Sequence, residues 1–344
     1  MASNRSITIR DIAAEANVSI ATVSNVVNNK GRVSPETRRL IESIIEKYNY
    51  TPNLSARSLK NKSSRLISVI IPYLQKGEFE DNPYFWQILS AIEPGARDEN
   101  FHVMLTGISK DENLSFIHER HLDGIIVIGI NENTDLFKKL RSMDIPCVYM
   151  DSYIKEKGVY QVFSNDRLGG YLATKYLISL GHRKVILVSG IKGKIDEKSG
   201  VDYRRWCGYC QALEEAGIPC DPGLIVEEGQ TMVGGYYAAQ KVFHLIDDNT
   251  AIFVLSDIGA MGLIRGLNEL GVSVPGDVSV MGYDDIFYAS YMIPSLTTIA
   301  QNIFVKGKNA VDLLLAQIEG RNLKEREITL PVELKIREST ARRS

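Results

Sequence analysis

From Leu66 onward, short apolar runs recur along the chain: LISVIIP, FHVMLT, DGIIVIG, PCVYM, KVILVSG, AIFVLSD and VSVMGYDD. No other feature limits the fold as much. Runs of this length suit strands buried on both faces, as in parallel sheets. Between them lie helix-like stretches at 83–98, 166–180, 203–216, 234–247 and 258–270, the alternation of doubly wound α/β layers. The 344 residues accommodate two such layers, with a ligand crevice expected between them at the carboxyl ends of the strands.

The segment before that body has a different character. Through Arg65 the chain carries 11 Lys and Arg against 5 Asp and Glu, a net +6; the rest has 29 against 37, a net −8. A short basic head on an acidic body points to a polyanion-binding module joined to a larger domain. Thr8, ahead of Ile9-Arg10-Asp11, can cap a helix while Asp11 answers it in a capping box, and Ile12, Ala13 and Ala16 then share one face. Asn17-Val18-Ser19 is turn-like, and Ser19 can cap a second helix running to Asn28 with Val23, Val26 and Val27 turned inward. Its outer face is then Ile20, Ala21, Thr22, Ser24 and Asn25, short enough to enter a major groove closely. Ser34-Pro35-Glu36 announces a third helix whose Leu40, Ile41, Ile44, Ile45 and Tyr48 form one stripe.

Three short helices with a tight turn between the first two make a helix-turn-helix unit. The alternative is a small amphipathic subdomain with no ligand. After a break at Tyr50-Thr51-Pro52-Asn53, the stretch 54–60 is helix-like and basic, but too short to be stable alone, so it should order only against something else.

The runs TIRDIAAEANVSIATVSNVVNN and VSPETRRLIESIIEKYNYTPNLSARSLK closely resemble the lactose-repressor family, also named jointly with the galactose repressor. The resemblance continues through NPYF at 82–85, HLDGIIV, LGHRKV at 180–185, RWCGY at 205–209, SDIGAMG at 256–262 and GYDD at 282–285. It implies an all-α helix-turn-helix head on an α/β body of two doubly wound parallel-sheet subdomains, of periplasmic-binding-protein type. The domains would be 1–50 for the head and 51–64 for a hinge helix. An N-subdomain would take 65–164 and 296–325, and a C-subdomain 165–295 and 326–340, with crossings near Ser164, Ser295 and Arg326.

The resemblance also implies a function: a sequence-specific regulator, with repression the commoner outcome, that binds a pseudo-palindromic double-stranded operator as a homodimer. Thr8, Ser19, Ile20, Ala21, Thr22, Ser24, Asn25 and Asn28 would serve DNA binding, with Ile20, Ala21 and Asn25 facing base edges. The 53–60 stretch would pack against its twin in the minor groove, with Leu59 as the apolar wedge and Arg57 and Lys60 beside it. Many family members have arginine where this chain has Asn25; asparagine pairs bidentately with adenine, so an adenine preference is expected there unless Asn25 only touches phosphate.

For a small effector (a sugar, a sugar derivative or a purine), the resemblance implies Tyr84 and Phe85 as aromatic walls, Asp151 and Asp257 after strands, and Arg205 with Asp284 as a two-sided clamp. Where some members place a stacking aromatic, this chain offers Gln230. Each has a plainer reading: core for the aromatics, helix caps or turns for Asp151 and Asp257, a surface ion pair for Arg205.

An enzyme would need a catalytic constellation, and G-x-G-x-x-G, phosphate-loop and G-x-S-x-G motifs are all absent. Neither a cofactor nor a metal is expected. Cys207-x-x-Cys210 has no second pair, His118 and His121 have no evident third ligand, and four clustered cysteines do not make a disulfide framework. With neither an export signal nor a run of about 18 apolar residues, a cytoplasmic protein off the membrane is expected. A solute-binding protein would share the body but lack the head; a regulator cued by a partner protein is the closer alternative.

Overall fold

The computed structural model describes residues 7–27, 30–50, 63–72, 82–108, 114–190, 200–228 and 230–343. The chain divides into two compact units between Ser64 and Arg65.

The first unit holds α1 (Ile9–Glu15), α2 (Ile20–Val27) and α3 (Pro35–Lys47). Thr8 and Asp11 form the reciprocal capping box, with the Thr8 amide donating to Asp11 Oδ2 at 2.8 Å. The Thr22 amide donates to Ser19 Oγ at 3.0 Å, and Ser34 caps α3 ahead of Pro35. Ile12, Ala13, Ala16, Val23, Val26, Ile41 and Ile44 form its core. Leu40 and Tyr48 depart from the expected stripe, being 48% and 42% exposed. The first two helices span only seven and eight residues, and their seam covers Ile41 and Ile44 but not the flanks of α3.

The second unit is built on two parallel sheets. One has the order β11-β5-β4-β3-β1-β2, from β1 (Leu66–Pro72), β2 (His102–Ile108), β3 (Gly124–Ile128), β4 (Cys147–Met150), β5 (Tyr160–Ser164) and β11 (Glu327–Leu330). The other has the order β7-β6-β8-β9, from β6 (Lys184–Ser189), β7 (Ile225–Glu227), β8 (Thr250–Val254) and β9 (Ser279–Met281). Every residue of β3 and β8 is buried, as strands covered by helices on both faces require. Helices α4 (Pro83–Asp98), α5 (Ser115–Glu119) and α6 (Asp135–Ser142) belong to the first layer. Helices α7 (Asp166–Ser179), α8 (Gly200–Glu215), α9 (Met232–Phe243) and α10 (Asp257–Glu269) belong to the second, and α11 (Ile303–Ile318) returns to pack on α4. Among the described residues no helix is long and apolar enough to cross a membrane. Cys210 is paired with Cys220, while His118 and His121 are exposed.

The crossings between layers correct two expected boundaries. Residues 296–301 stay with the C-subdomain: Leu296 and Ile299 lie in its cores, and the Asp284 amide donates to the Ile299 carbonyl at 2.8 Å. The chain leaves only after β10 (Thr298–Gln301), which pairs antiparallel with β12 (Val332–Lys335). Residues 327–330 stay with the N-subdomain, because β11 pairs parallel with β5. The second and third crossings therefore lie near 302 and 331, not Ser295 and Arg326. The crossing segments touch: Ser164 Oγ donates to Gln301 Oε1 at 2.8 Å, and the Asn165 amide to the Leu330 carbonyl at 2.9 Å.

Helices α7 and α8 meet backbone to backbone. A Cβ on Gly170 would stand 2.0 Å from the Arg205 carbonyl oxygen, so only glycine admits this approach. Gly170→Ala should therefore force α8 outward and cost about 1–3 kcal/mol. Chemical denaturation measures it; an unchanged midpoint would mean that this helix pair is not held as tightly as the contact implies.

Candidate functional site

Two surfaces carry the expected residues. On the head, Ile20 is 47% exposed and Ala21 is exposed, while Thr22, Ser24 and Asn25 are half-buried. Thr8 and Ser19 spend their hydroxyls on caps, and the Thr22 hydroxyl lies 2.8 Å from Ser19 Oγ. Thr8 therefore fixes the start of α1, while Ser19 and Thr22 fix the turn into α2. Asn25 packs against Gly31: a Cβ there would stand 3.1 Å from Asn25 Nδ2, and φ of +74° at Gly31 keeps the turn close to α2. Asn28, Arg57, Leu59 and Lys60 lie outside the described residues.

In the body, polar side chains converge where the two layers meet. Asp151 follows β4, and Tyr84 sits in the first turn of α4, capped by Asn82. The Tyr84 hydroxyl donates to Asp151 Oδ2 at 2.6 Å, and the Lys306 ammonium, with no exposed surface, donates to Asp151 Oδ1 at 2.8 Å. Lys306 also donates to Gln301 Oε1 at 2.6 Å. With its oxygen turned to the cation, Gln301 points its Nε2 into the other layer and donates to Asp284 Oδ1 at 2.7 Å. A buried ammonium is tolerated only when paired and hydrogen-bonded, which these contacts provide.

The C-subdomain side centres on Arg205 of α8. Its Nε donates to Asp166 Oδ1 at 2.8 Å and its Nη1 to the Leu255 carbonyl at 2.6 Å, while its guanidinium lies 3.6 Å from the centre of the Tyr283 ring. Asp284 Oδ1 lies 3.7 Å from Arg205 Nη2. The Tyr153 hydroxyl stands 2.6 Å from both Asp166 Oδ2 and the Ser164 carbonyl, returning the network to the N-subdomain.

Left-handed backbone and desolvation coincide at this place, although positive φ also occurs in turns elsewhere. Asp151, Tyr153, Asp284 and Asp285 have positive φ, Asp284 at 121°, just past strand ends. Such backbone persists only where its surroundings over-determine it, and it clusters at ligand sites. Burial pushes the Asp284 carboxyl up to about 8 against the pull of Arg205, and raises the Tyr84 phenol with help from Asp151. Burial likewise lifts Asp257 to about 7.

The structure thus brings Tyr84, Asp151, Arg205 and Asp284 into one network. Phe85 instead packs on the N-subdomain core, with its ring 5.9 Å from that of Tyr84. Asp257 is a strut: fully buried, it accepts from the Thr298 hydroxyl at 2.6 Å and the Ile286 amide at 2.9 Å, holding β10 to its layer. Gln230 donates to Asp202 at 2.6 Å, one turn before Arg205, and has no hydrogen bond to the network among the described residues. The expected two-sided clamp is a closed one, since Arg205 is already committed to Asp166. Sequence reasoning missed Lys306, Gln301, Asp166 and Tyr153. Lys306 had a signal: it interrupts the apolar face formed by Ile303, Gly307, Ala310 and Leu314.

Residues 8–53 match the model of bacterial regulatory proteins of the lacI family, and 174–340 that of a periplasmic binding protein-like domain. The ribose operon repressor of Haemophilus influenzae is 33% identical over 337 residues, covering 96% of this chain and 98% of the relative. The transcriptional repressor PurR of Vibrio atlanticus is 33% identical over 337 residues, covering 95% and 96%. Among solved structures, the lac repressor dimer bound to operator and the anti-inducer ONPF superposes with a TM-score of 0.83 at 26% identity, covering 98% of this chain and 100% of that one. A LacI family regulator from Enterococcus faecium with bound ribose gives 0.70 at 33% identity, covering 80% and 98%.

A carboxyl raised above its unfolded pKa of about 4 binds a proton on folding. Its contribution to stability is therefore full in acid and declines as pH rises from about 4 towards 8. Asp284→Asn should flatten this decline in the thermal midpoint between about pH 5 and pH 8. An unchanged slope would show that Asp284 does not titrate there.

Proposed function

The chain belongs to the lacI family of bacterial regulatory proteins, and from that membership we propose that it is a dimeric repressor whose operator affinity is set by a small polar effector bound between its two α/β layers. The coarser part is plain: the chain is a DNA-binding transcription regulator and not an enzyme. The finer reading rests on one observation above all, the buried polar network running from Tyr84 and Asp151 through Lys306 and Gln301 to Asp284 and Arg205. Polyols, sugars and purines offer hydroxyls and ring nitrogens to such a mixture of donors and acceptors. The relative named as a ribose operon repressor and the structure with bound ribose favour a sugar, while kinship with PurR keeps a purine in play.

An effector that binds one arrangement of the layers better than the other shifts their equilibrium, with a coupling to DNA of about 1–3 kcal/mol. Exposed apolar residues support dimerisation: Phe287, Tyr288 and Tyr291 are 62%, 50% and 71% exposed, and Ile293 is 90% exposed. Two heads would then meet a pseudo-palindromic site, and Arg57, Leu59 and Lys60 would act where the hinge segments pair. Acting on DNA, the protein would work in the cytoplasm.

A thermal-shift screen of the full chain against sugars, sugar acids, nucleosides and purines tests the effector reading. A stabilising compound whose effect disappears in Arg205→Lys and Asp151→Asn supports it. A hit that survives in both variants would move the site elsewhere, and silence across the panel would favour a partner-protein cue.

At the head, Asn25→Ala should weaken specific operator binding by about 1–3 kcal/mol and leave non-specific binding nearly unchanged. Selection from a randomised operator should return adenine at the contacted position; guanine there, or equal losses in both kinds of binding, would remove Asn25 from base recognition.

A further inference from the structure

A cavity of about 560 Å³ lies beside the crossing segments and is lined in part by Tyr153, Gly158, Gln161 and Phe163. Its charged lining is one-sided. Lys155, Lys157, Arg204, Lys324 and Arg326 face it, against Glu156 and Glu327, a net +3. Both carboxylates are engaged: Glu156 pairs with Arg141 at 2.7 Å, and Glu327 accepts from Gln161 Nε2 at 2.7 Å. Among the described residues, none of the five cations forms an ion pair.

Arg204 is the most constrained of them. Its guanidinium lies 5.1 Å from the centre of the Tyr153 ring, and its Nε is buried with no hydrogen-bond partner among the described residues. A buried N–H without an acceptor is costly, so the side chain is poised for one. Opposite, Gly158 at φ +86° turns the loop beside Arg326, whose Nη1 would be in van der Waals contact with a Cβ there at 3.5 Å.

We propose that this cavity is a binding site for a phosphate-bearing small metabolite, separate from the crevice of Arg205 and Lys306. Two guanidiniums offer forked donors that match phosphate oxygens, and three lysines supply point charges around them. The volume falls within the roughly 300–1,000 Å³ of small-molecule sites. The Tyr153 ring is already engaged by the Arg204 guanidinium at 5.1 Å and by the Phe163 ring at 4.4 Å. With cations in excess along the lining, the recognised element is the phosphate. Arg204 comes from α8 of the C-subdomain, while Lys157, Lys324 and Arg326 come from the N-subdomain. An anion held by both groups bridges the layers next to Arg205, giving a second input to the same equilibrium.

Isothermal titration calorimetry of the full chain with inorganic pyrophosphate and with ribose 5-phosphate, at fixed ionic strength, tests this. Saturable binding of at least one probe is expected, one per chain, weakened tenfold or more by Arg204→Gln or Arg326→Gln and several-fold by the exposed Lys157→Gln. Lys308→Gln, on the exposed face of α11 and paired with Asp312, should leave that affinity unchanged. Absence of saturable heat with both probes, or the same affinity in the cavity variants as in the unaltered chain, would each overturn the proposal; pyrophosphate, which carries no sugar or base, keeps the outcome separate from sugar or purine binding in the crevice.

Discussion

A positive charge with no access to water, Lys306, sets the terms for the body of this protein. Removing an ammonium from solvent costs several kcal/mol unless an anion and further acceptors surround it. Asp151 supplies the anion, held in turn by Tyr84, and Gln301 supplies the acceptor. Because Gln301 ends the strand at which the chain passes from one layer to the other, satisfying the lysine also fixes its amide and aims the amide nitrogen at Asp284. The need to neutralise one buried cation therefore ties the two layers together at their crossing.

The same arrangement explains how a modest ligand could be felt at a distance. The layers have separate apolar cores, with Tyr84 packing at the edge of one core in each, so little hydrophobic packing has to be broken for one to turn on the other. Polar contacts at the crossing decide the angle, and hydrogen bonds in a desolvated setting are strong when made and costly when broken. A ligand that replaces even one of them changes the balance between two arrangements. In the dimer proposed above, that change would alter how two basic heads are presented to DNA.

Much of this was readable in the sequence, for physical reasons that also explain the omissions. Capping residues declare helices locally, so Thr8, Ser19 and Ser34 marked the head, and runs such as LISVIIP suited buried strands. The short strands around the crossings were harder: β10, β11 and β12 have four residues each, and which layer they join depends on partners remote in the chain. Lys306 was passed over because a lysine on an amphipathic helix is ordinarily solvated, although its place on the apolar face of α11 argued otherwise. Asp257 shows the converse. An acidic residue after a strand suits a ligand site and a buried cap equally well, and only the positions of Thr298 and Ile286 distinguish them. Leu40 and Tyr48 had the right spacing for core, but two short helices cannot cover so wide a stripe.

The most direct test of whether the crossing network joins the layers is a double-mutant cycle between Asp151→Asn and Arg205→Lys, read as unfolding free energies. These residues lie on opposite sides and connect through Lys306, Gln301 and Asp284. A network acting as one unit predicts an interaction energy of about 1 kcal/mol or more; losses that add to within about 0.5 kcal/mol would show two independent sites and contradict the account.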